Sequence, residues 1–424
     1  MSNATSPRTK PIRIPITNTY DGNDYTALLY IGSAKNPVNV ILDTGSSTLA
    51  VKPSTYHAAK DTDLVPTSLA QLVMYGTGGW GGPVVKTSVS MGIAGDLVTL
   101  PSVPLAITDV QQPGNFTGGV DGILGLAYNG LNGGYNFQSY LKTQKVSPPN
   151  TYPWTFPSHS FKKFTVQFNN LIRTQKIPDV SIDPYFTALE TNHIQANKFA
   201  FYTLRSAMQA SKADGSASPD DPLNKGYFIL GGGEEQTDLF TGSFLTVPVL
   251  HDLYYNTNLK SVQVAGCPVV NALPLQKEYL PYMISNSIVD SGTSCLALSG
   301  DVYNAILAGL TSINPQFAIL IGQSANSASG IPASGLDLAK WPNLTFTLSG
   351  EKGADINLTC TPQTYWQVNA PIPGNAVFQI IGPGPGEDQN QSILGLPLMN
   401  NYYTVFDRSQ DKKGVVRFAT IKQP

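Results

Sequence analysis

Short apolar and β-branched runs recur along the chain, and Gly, Pro, Asn or Asp repeatedly break them. TALLYIG (26–32), NVILDTG (39–45), VVKTSVSMG (84–92) and LTFTLSG (344–350) are of this kind, and each predicts a strand bounded by turns. A helical period is rare. DVYNAILAGLTSI (301–313), with Asp301 placed to cap it, and part of 137–146 are the better candidates. Two stretches read as surface loops or insertions. One is roughly 129–226, which contains SPPNTYPWTFPSHS and SKADGSASPDDPLNKG. The other is GQSANSASGIPASG (322–335), small and polar. The pattern predicts a mainly β chain with about six short helices at most.

Composition narrows the class. At 424 residues the chain is long enough for two or three domains. A 41% apolar content supplies a core, and 10% aromatics argue against disorder. Charged residues are only 13% and the net charge is −2, so nothing points to nucleic acid or an anionic membrane as partner. No apolar run is long enough to span a bilayer. Three cysteines, Cys267, Cys295 and Cys360, are an odd, low count that suits a reducing compartment rather than a disulfide framework. The opening MSNATSPRTKPIRIPI lacks the apolar stretch of a secretory leader. The expected location is the cytoplasm; the alternative is a secreted chain whose leader and prosegment have been removed.

An internal echo carries the candidate chemistry. Val40-Ile41-Leu42-Asp43-Thr44-Gly45-Ser46-Ser47 is matched by Ser287-Ile288-Val289-Asp290-Ser291-Gly292-Thr293-Ser294. Downstream of each comes a second echo, Ile123-Leu124-Gly125-Leu126 and Ile393-Leu394-Gly395-Leu396. Two similar halves, each ending an apolar strand in a carboxylate, suggest a duplicated lobe. A single Asp-Thr-Gly in a β chain is normally an ordinary turn; two with the same flanks are hard to get by chance. If both turns meet, two carboxylates share one proton, because like charges so close cannot both ionise. The ionised member then draws a proton from water while the protonated one donates to a carbonyl oxygen.

With these motifs the chain resembles the pepsin-like aspartic protease family, from about Ile14 to Ala419. Met74-Tyr75-Gly76-Thr77-Gly78-Gly79 is similar to the family's flap, the hairpin that closes over substrate. GVDGILGLAY (119–128), the interlobe stretch 227–249 and the C-terminal segment 392–419 follow in the family's order. The resemblance implies an all-β, bilobal fold with lobes related by a pseudo-two-fold axis and a few short helices. It implies a tail at 1–13, an N-terminal lobe at 14–235 carrying the insertion, and a C-terminal lobe at 236–424. Asp43 and Asp290 would be the catalytic pair. Thr44 and Ser291 would interlock the two loops, whose turns Gly45 and Gly292 permit, and Ser46 and Thr293 would bond the outer carboxylate oxygens. Tyr75, Gly76 and Thr77 would form the substrate-binding flap. No metal or cofactor is implied. The expected partner is a polypeptide in extended conformation, cut at acidic pH by a monomeric enzyme.

The sequence also departs from the family. Where relatives carry a Trp seven residues beyond the first Asp, partnering the flap Tyr, this chain has Ala50; Trp80 in the flap itself is the candidate substitute. Few residues precede Asp43, so the expectation is a chain without a prosegment, like bacterial homologues of the shewasin type. The long insertion is expected to decorate the surface, and Cys295 and Cys360 to be buried free thiols. His57, His159, His193 and His251 share no metal-ligand spacing, Gly231-Gly232-Gly233 lacks a dinucleotide fingerprint, and there is no Gly-x-Ser-x-Gly elbow. The competing class is a catalytically silent, pepsin-like binding or inhibitor protein.

Overall fold

A computed structural model describes residues 10–18, 25–76, 78–116, 119–153, 160–192, 196–204, 222–409 and 413–423. Strands hold 40% of the described residues and helices 23%. The four strands read from the pattern form at Tyr25–Ile31, Asn36–Asp43, within Gly79–Ile93, and at Leu344–Ser349. Their physical basis is plainest in Leu344–Ser349, where burial alternates strictly. Leu344, Phe346 and Leu348 point inward and the intervening polar residues do not, as the period of a pleated strand requires. Each such buried side chain contributes about 1.5–3 kcal/mol.

The chain divides into two compact units, one of Ala27–Ile194 and one of Arg8–Thr26 with Gln195–Pro424. In the first, the strand run Gly79–Ile93, Asp96–Ile107, Leu49–Val51, Gly122–Gly125, Asn36–Asp43 and the strand containing Ala27–Ile31 closes on itself, because Leu29–Ile31 pairs back onto Val89–Met91. Closure removes the exposed edges of this ring. The long strand Gly79–Ile93 also carries Val65–Met74 as a hairpin partner, extended outward by Gly133–Asn136 and Asp179–Ser181.

The second unit is built on an antiparallel sheet in the order Ile12–Asn18, Lys225–Leu230, Lys198–Tyr202, Tyr402–Asp407, Val415–Ile421, Phe240–Pro248. This sheet explains why the units divide near residue 194 rather than at 235: Ile12–Asn18, Lys198–Tyr202 and Lys225–Leu230 all pair within it. Strand already begins at Ile12, inside the stretch expected to be tail. Phe199 stacks on Phe406 at 5.0 Å between ring centroids. Lys198, Glu234, Asp407 and Arg417 form one charge network there, with Arg417 Nη1 2.6 Å from Asp407 Oδ2 and 2.9 Å from Glu234 Oε1.

Helices are more numerous than the sequence pattern suggested, with eight α-helices among the described residues. The predicted ones are present at Gln138–Thr143 and Gly300–Ile313. Ser299, not Asp301, occupies the N-cap of the latter, and Asp301 Oδ2 instead accepts the Leu273 N–H at 2.6 Å. The expected loop at 322–335 is partly helical, because Pro315–Ala325 forms a helix capped by the Asn314 side chain. The insertion is not surface decoration either. It holds the helix Phe161–Gln175, whose Phe161, Phe164 and Phe168 recur at helical spacing and are buried. Of the insertion, residues 154–159, 193–195 and 205–221 lie outside the described residues.

One carboxylate ties down the first unit. Asp61 Oδ1 accepts the N–H groups of Ser33 and Asp63, and Oδ2 accepts the hydroxyls of Tyr56 and Thr87. Burial works against its charge, but these four donors outweigh that and bring its pKa from 3.8 down to about 2. A depressed carboxylate stabilises the fold above its unfolded pKa and loses that contribution as pH falls through the folded value. The thermal midpoint should therefore drop between about pH 4 and pH 2. Asp61→Asn should be less stable than wild type at pH 6, with the gap narrowing toward pH 2. Thermal melts across this range test the assignment, and a constant gap would remove the carboxylate charge from the account.

Candidate functional site: two aspartate turns and a flap

In the first unit, Asn36–Asp43 runs parallel to Gly122–Gly125, with Asp43 opposite Gly125. Leu49–Val51 returns antiparallel on the other side of Gly122–Gly125. The turn between them carries Asp43, only 5% exposed. Asp43 Oδ1 accepts the Gly45 N–H at 2.7 Å, and Oδ2 accepts the Ser46 hydroxyl. The backbone stitches the turn to the strand behind it: Leu126 N donates to Asp43 O, and Gly125 N to Thr48 O. Any Cβ on Gly125 would collide with the Ser47 backbone, so only glycine fits.

The second unit repeats this construction. Ser287–Val289 runs parallel to Ser392–Leu394, and Leu296–Ala297 returns antiparallel to it. Asp290 is 6% exposed. Its Oδ1 accepts the Gly292 N–H at 2.9 Å and its Oδ2 the Thr293 hydroxyl at 2.6 Å. Leu396 N donates to Thr293 O, and a Cβ on Gly395 would strike the carbonyls of Thr293 and Cys295. In each half one oxygen is bound by the glycine amide two residues on, and the other by a hydroxyl three residues on. Thr44 and Ser291 are both buried.

The hairpin Val65–Met74/Gly79–Ile93 turns through Tyr75–Gly78, with Tyr75 N donating to Gly78 O at 2.7 Å. Gly76 at the tip is exposed, and Thr77 lies outside the described residues. Trp80 Nε1 donates to the Tyr75 hydroxyl at 3.0 Å. Trp80 is fully buried in one apolar cluster with Ile41, Ala50 and Ile123, against which Tyr75 packs. The small Ala50 thus shares its cluster with an indole delivered from the hairpin. Burial raises the Tyr75 phenol well above its ordinary pKa; the Trp80 hydrogen bond offsets part of this and the Asp43 charge adds to it. Tyr75 is therefore a neutral hydroxyl within the electrostatic reach of Asp43.

Sequence reasoning missed one polar knot in this unit. Asn132 Oδ1 accepts the Thr48 hydroxyl at 2.7 Å and the Gln71 amide at 3.0 Å, while Asn132 Nδ2 donates to Ile182 O. All three side chains are buried. It links the loop after Asp43 to the hairpin through the insertion. No local motif announces it, because its members lie far apart in the sequence. None of Cys267, Cys295 and Cys360 is in a disulfide; Cys360 is buried and the other two are partly so. Burial pushes the Cys360 thiol up to about 12, with Thr364 and Asn401 acting in the opposite sense, which leaves it a poor nucleophile. Among the described residues no group of three or more His, Cys, Asp or Glu is placed to hold a metal ion, and no helix is long and apolar enough to cross a membrane.

Comparison with known proteins agrees with this construction. The chain is 26% identical to cathepsin E of Aquarana catesbeiana over 417 residues, covering 94% of this chain and 80% of the relative. It is 24% identical to pepsin A of Gallus gallus over 416 residues (95% and 86%) and 24% identical to pepsin-2B of Gadus morhua over 412 residues (92% and 95%). The sequence pattern of the eukaryotic aspartyl proteases matches residues 24–158 and 155–420, one aspartate turn in each match. With both turns built alike and the pattern spanning nearly the whole chain, the protein belongs to the eukaryotic aspartyl protease family, the pepsin-like enzymes.

Proposed function

We propose that the chain is an active aspartic endopeptidase that hydrolyses polypeptides at acidic pH. The observation that carries this reading is the identical dressing of Asp43 and Asp290, by a glycine amide and a hydroxyl in each case. The mechanism requires both carboxylates to reach one water. The ionised member takes a proton from it, the water oxygen attacks the scissile carbonyl carbon, and the protonated member donates to the carbonyl oxygen. Collapse of the tetrahedral adduct breaks the C–N bond as the amine takes the proton drawn from the water, while a hydroxyl of the adduct returns its proton to the other carboxylate. Gly45 and Ser46, with Gly292 and Thr293, hold the carboxylates in place before substrate arrives. In this reading Tyr75 and Gly76, with Thr77 beside them, cover an extended peptide held by strand-like pairing. No metal or cofactor takes part.

In the competing reading, a silent binding protein, the long insertion and Ala50 would be the cause, by blocking the cleft or loosening the flap. The hydrogen bond from Trp80 to Tyr75 supplies the indole from another position and weakens the ground of a loosened flap.

Cleavage of a mixed peptide library between pH 3 and pH 7 tests the proposal. Wild type should cut in acid, lose activity toward neutrality, and be inhibited by the statine-type inhibitor pepstatin. Asp290→Ala should lower kcat by about four orders of magnitude. A well-folded wild type that cuts nothing at any pH would favour the binding-protein reading.

The flap contact gives a finer prediction. Trp80→Phe keeps an aromatic ring but removes the donor to Tyr75. A net hydrogen bond of about 0.5–1.5 kcal/mol corresponds to a loss of about two- to tenfold in kcat/KM. Steady-state kinetics on a single fluorogenic peptide would measure it. An unchanged kcat/KM would mean that Tyr75 is positioned by packing alone.

A further inference from the structure

The strand that leaves the flap tip opens with Gly79-Trp80-Gly81-Gly82, all buried. Successive residues of a strand face opposite sides, and here the two sides meet different neighbours. Trp80 enters the apolar cluster of Ile41 and Ala50. Gly79 and Gly81 face the helix Phe161–Gln175. A Cβ on Gly79 would come within 2.6 Å of the Phe161 ring, and one on Gly81 would overlap the ring of Phe164. The absence of side chains at these two positions lets two phenylalanines seat directly on the flap backbone.

The other flap strand is held from the same insertion. Tyr135 and Asn136 pair with Ala70 and Leu69. Ser68 Oγ donates to Asn136 Oδ1, Phe137 N donates to Ser68 O, and Thr151 N donates to Thr67 O. The Asn132 knot then joins Gln71 of this strand to Thr48 behind the first aspartate turn. An isolated two-stranded hairpin is marginal in water; this one is covered on one face, paired along its outer edge and tied at its root.

We propose that residues 129–153 and 160–182 are a built-in flap brace, holding the hairpin in one position relative to the Asp43 turn so that substrate meets a preformed cover. The assignment rests on the reading that Tyr75–Gly78 covers substrate, while the bracing itself does not depend on catalysis. Phe164 and Asn132 are positioning residues, since they act through Gly81, Gln71 and Thr48.

Hydrogen exchange on the full-length, ligand-free protein separates the two questions. In Phe164→Ala, amides of residues 69–82 should exchange about tenfold faster than in wild type, while those of residues 36–43 keep their protection. Phe164→Leu, which retains apolar bulk and is the milder test of folding, should move the same peptides in the same direction by less. Asn132→Ala should release residues 69–73 as well. With a cleaved peptide, loosening should appear as a raised KM with a smaller change in kcat. Exchange at 69–82 that stays at the wild-type rate in both Phe164 variants would overturn the proposal. So would a rise shared equally by residues 36–43, which marks general destabilisation. Absence of peptidase activity in wild type would sink the catalytic reading and leave the exchange result to decide the brace.

Discussion

The close approach of a bare strand to the turn behind it is what lets either aspartate be held as it is. Gly125 lies against the Ser47 backbone and Gly395 against the carbonyls of Thr293 and Cys295. A side chain at either glycine would lift the strand away and break the bonds that fix the turn, Leu126 N to Asp43 O in one half and Leu396 N to Thr293 O in the other. The carboxylate contacts are only as accurate as this backbone stitching. A donor at Gly45 or Gly292 counts for little unless the turn that aims it is rigid. In each half the constraint therefore runs from a glycine in the strand, through the turn, to the carboxylate oxygens.

This explains which parts of the site were legible in the sequence. The two Asp turns and the two Ile-Leu-Gly segments are short, local and repeated, and their residue types are dictated by backbone geometry that admits few substitutes. Trp80 was legible as a partner for Tyr75 because it is five positions away on the same hairpin. The Asn132 knot was not, since Thr48, Gln71, Asn132 and Ile182 meet only after the chain has folded back several times. The helix Phe161–Gln175 carried a usable signal in the spacing of Phe161, Phe164 and Phe168. Its setting among Pro, Ser and polar residues led the whole stretch to be read as loop. At Pro315–Ala325 the Asn314-Pro315 pair was an N-cap signal, outweighed by the small polar residues that follow.

The electrostatics of the fold and the proposed chemistry pull in opposite directions with pH. Burial alone would raise Asp407, but Arg417, Ser409 and Lys198 prevail and lower it, and Asp61 is lowered as well. Both carboxylates stabilise their units while charged, and that contribution fades in strong acid. A shared-proton aspartate pair instead needs pH low enough for one member to stay protonated. In the proposed chemistry, activity would be confined to a window set from above by the aspartate pair and from below by the structural carboxylates.

Ala50 and Trp80 show how the flap position can be kept by different means. Tyr75 has an indole N–H donor from its own hairpin and, beside it, an apolar wall that includes Ile41, Ala50 and Ile123. The arrangement has a mechanical consequence. A donor fixed outside the flap would be approached and released as the flap moves, whereas the Trp80 hydrogen bond travels with Tyr75, and it is the seat of the indole among Ile41, Ala50 and Ile123 that ties this strand to the unit. A second anchor comes from elsewhere. The contacts that provide it are those of the insertion, with Phe161 and Phe164 on the glycines flanking Trp80 and Asn132 between Gln71 and Thr48. The indole and the insertion thus hold the flap from two sides, Trp80 through Ile41, Ala50 and Ile123, and the helix through Phe161 and Phe164 on the neighbouring glycines.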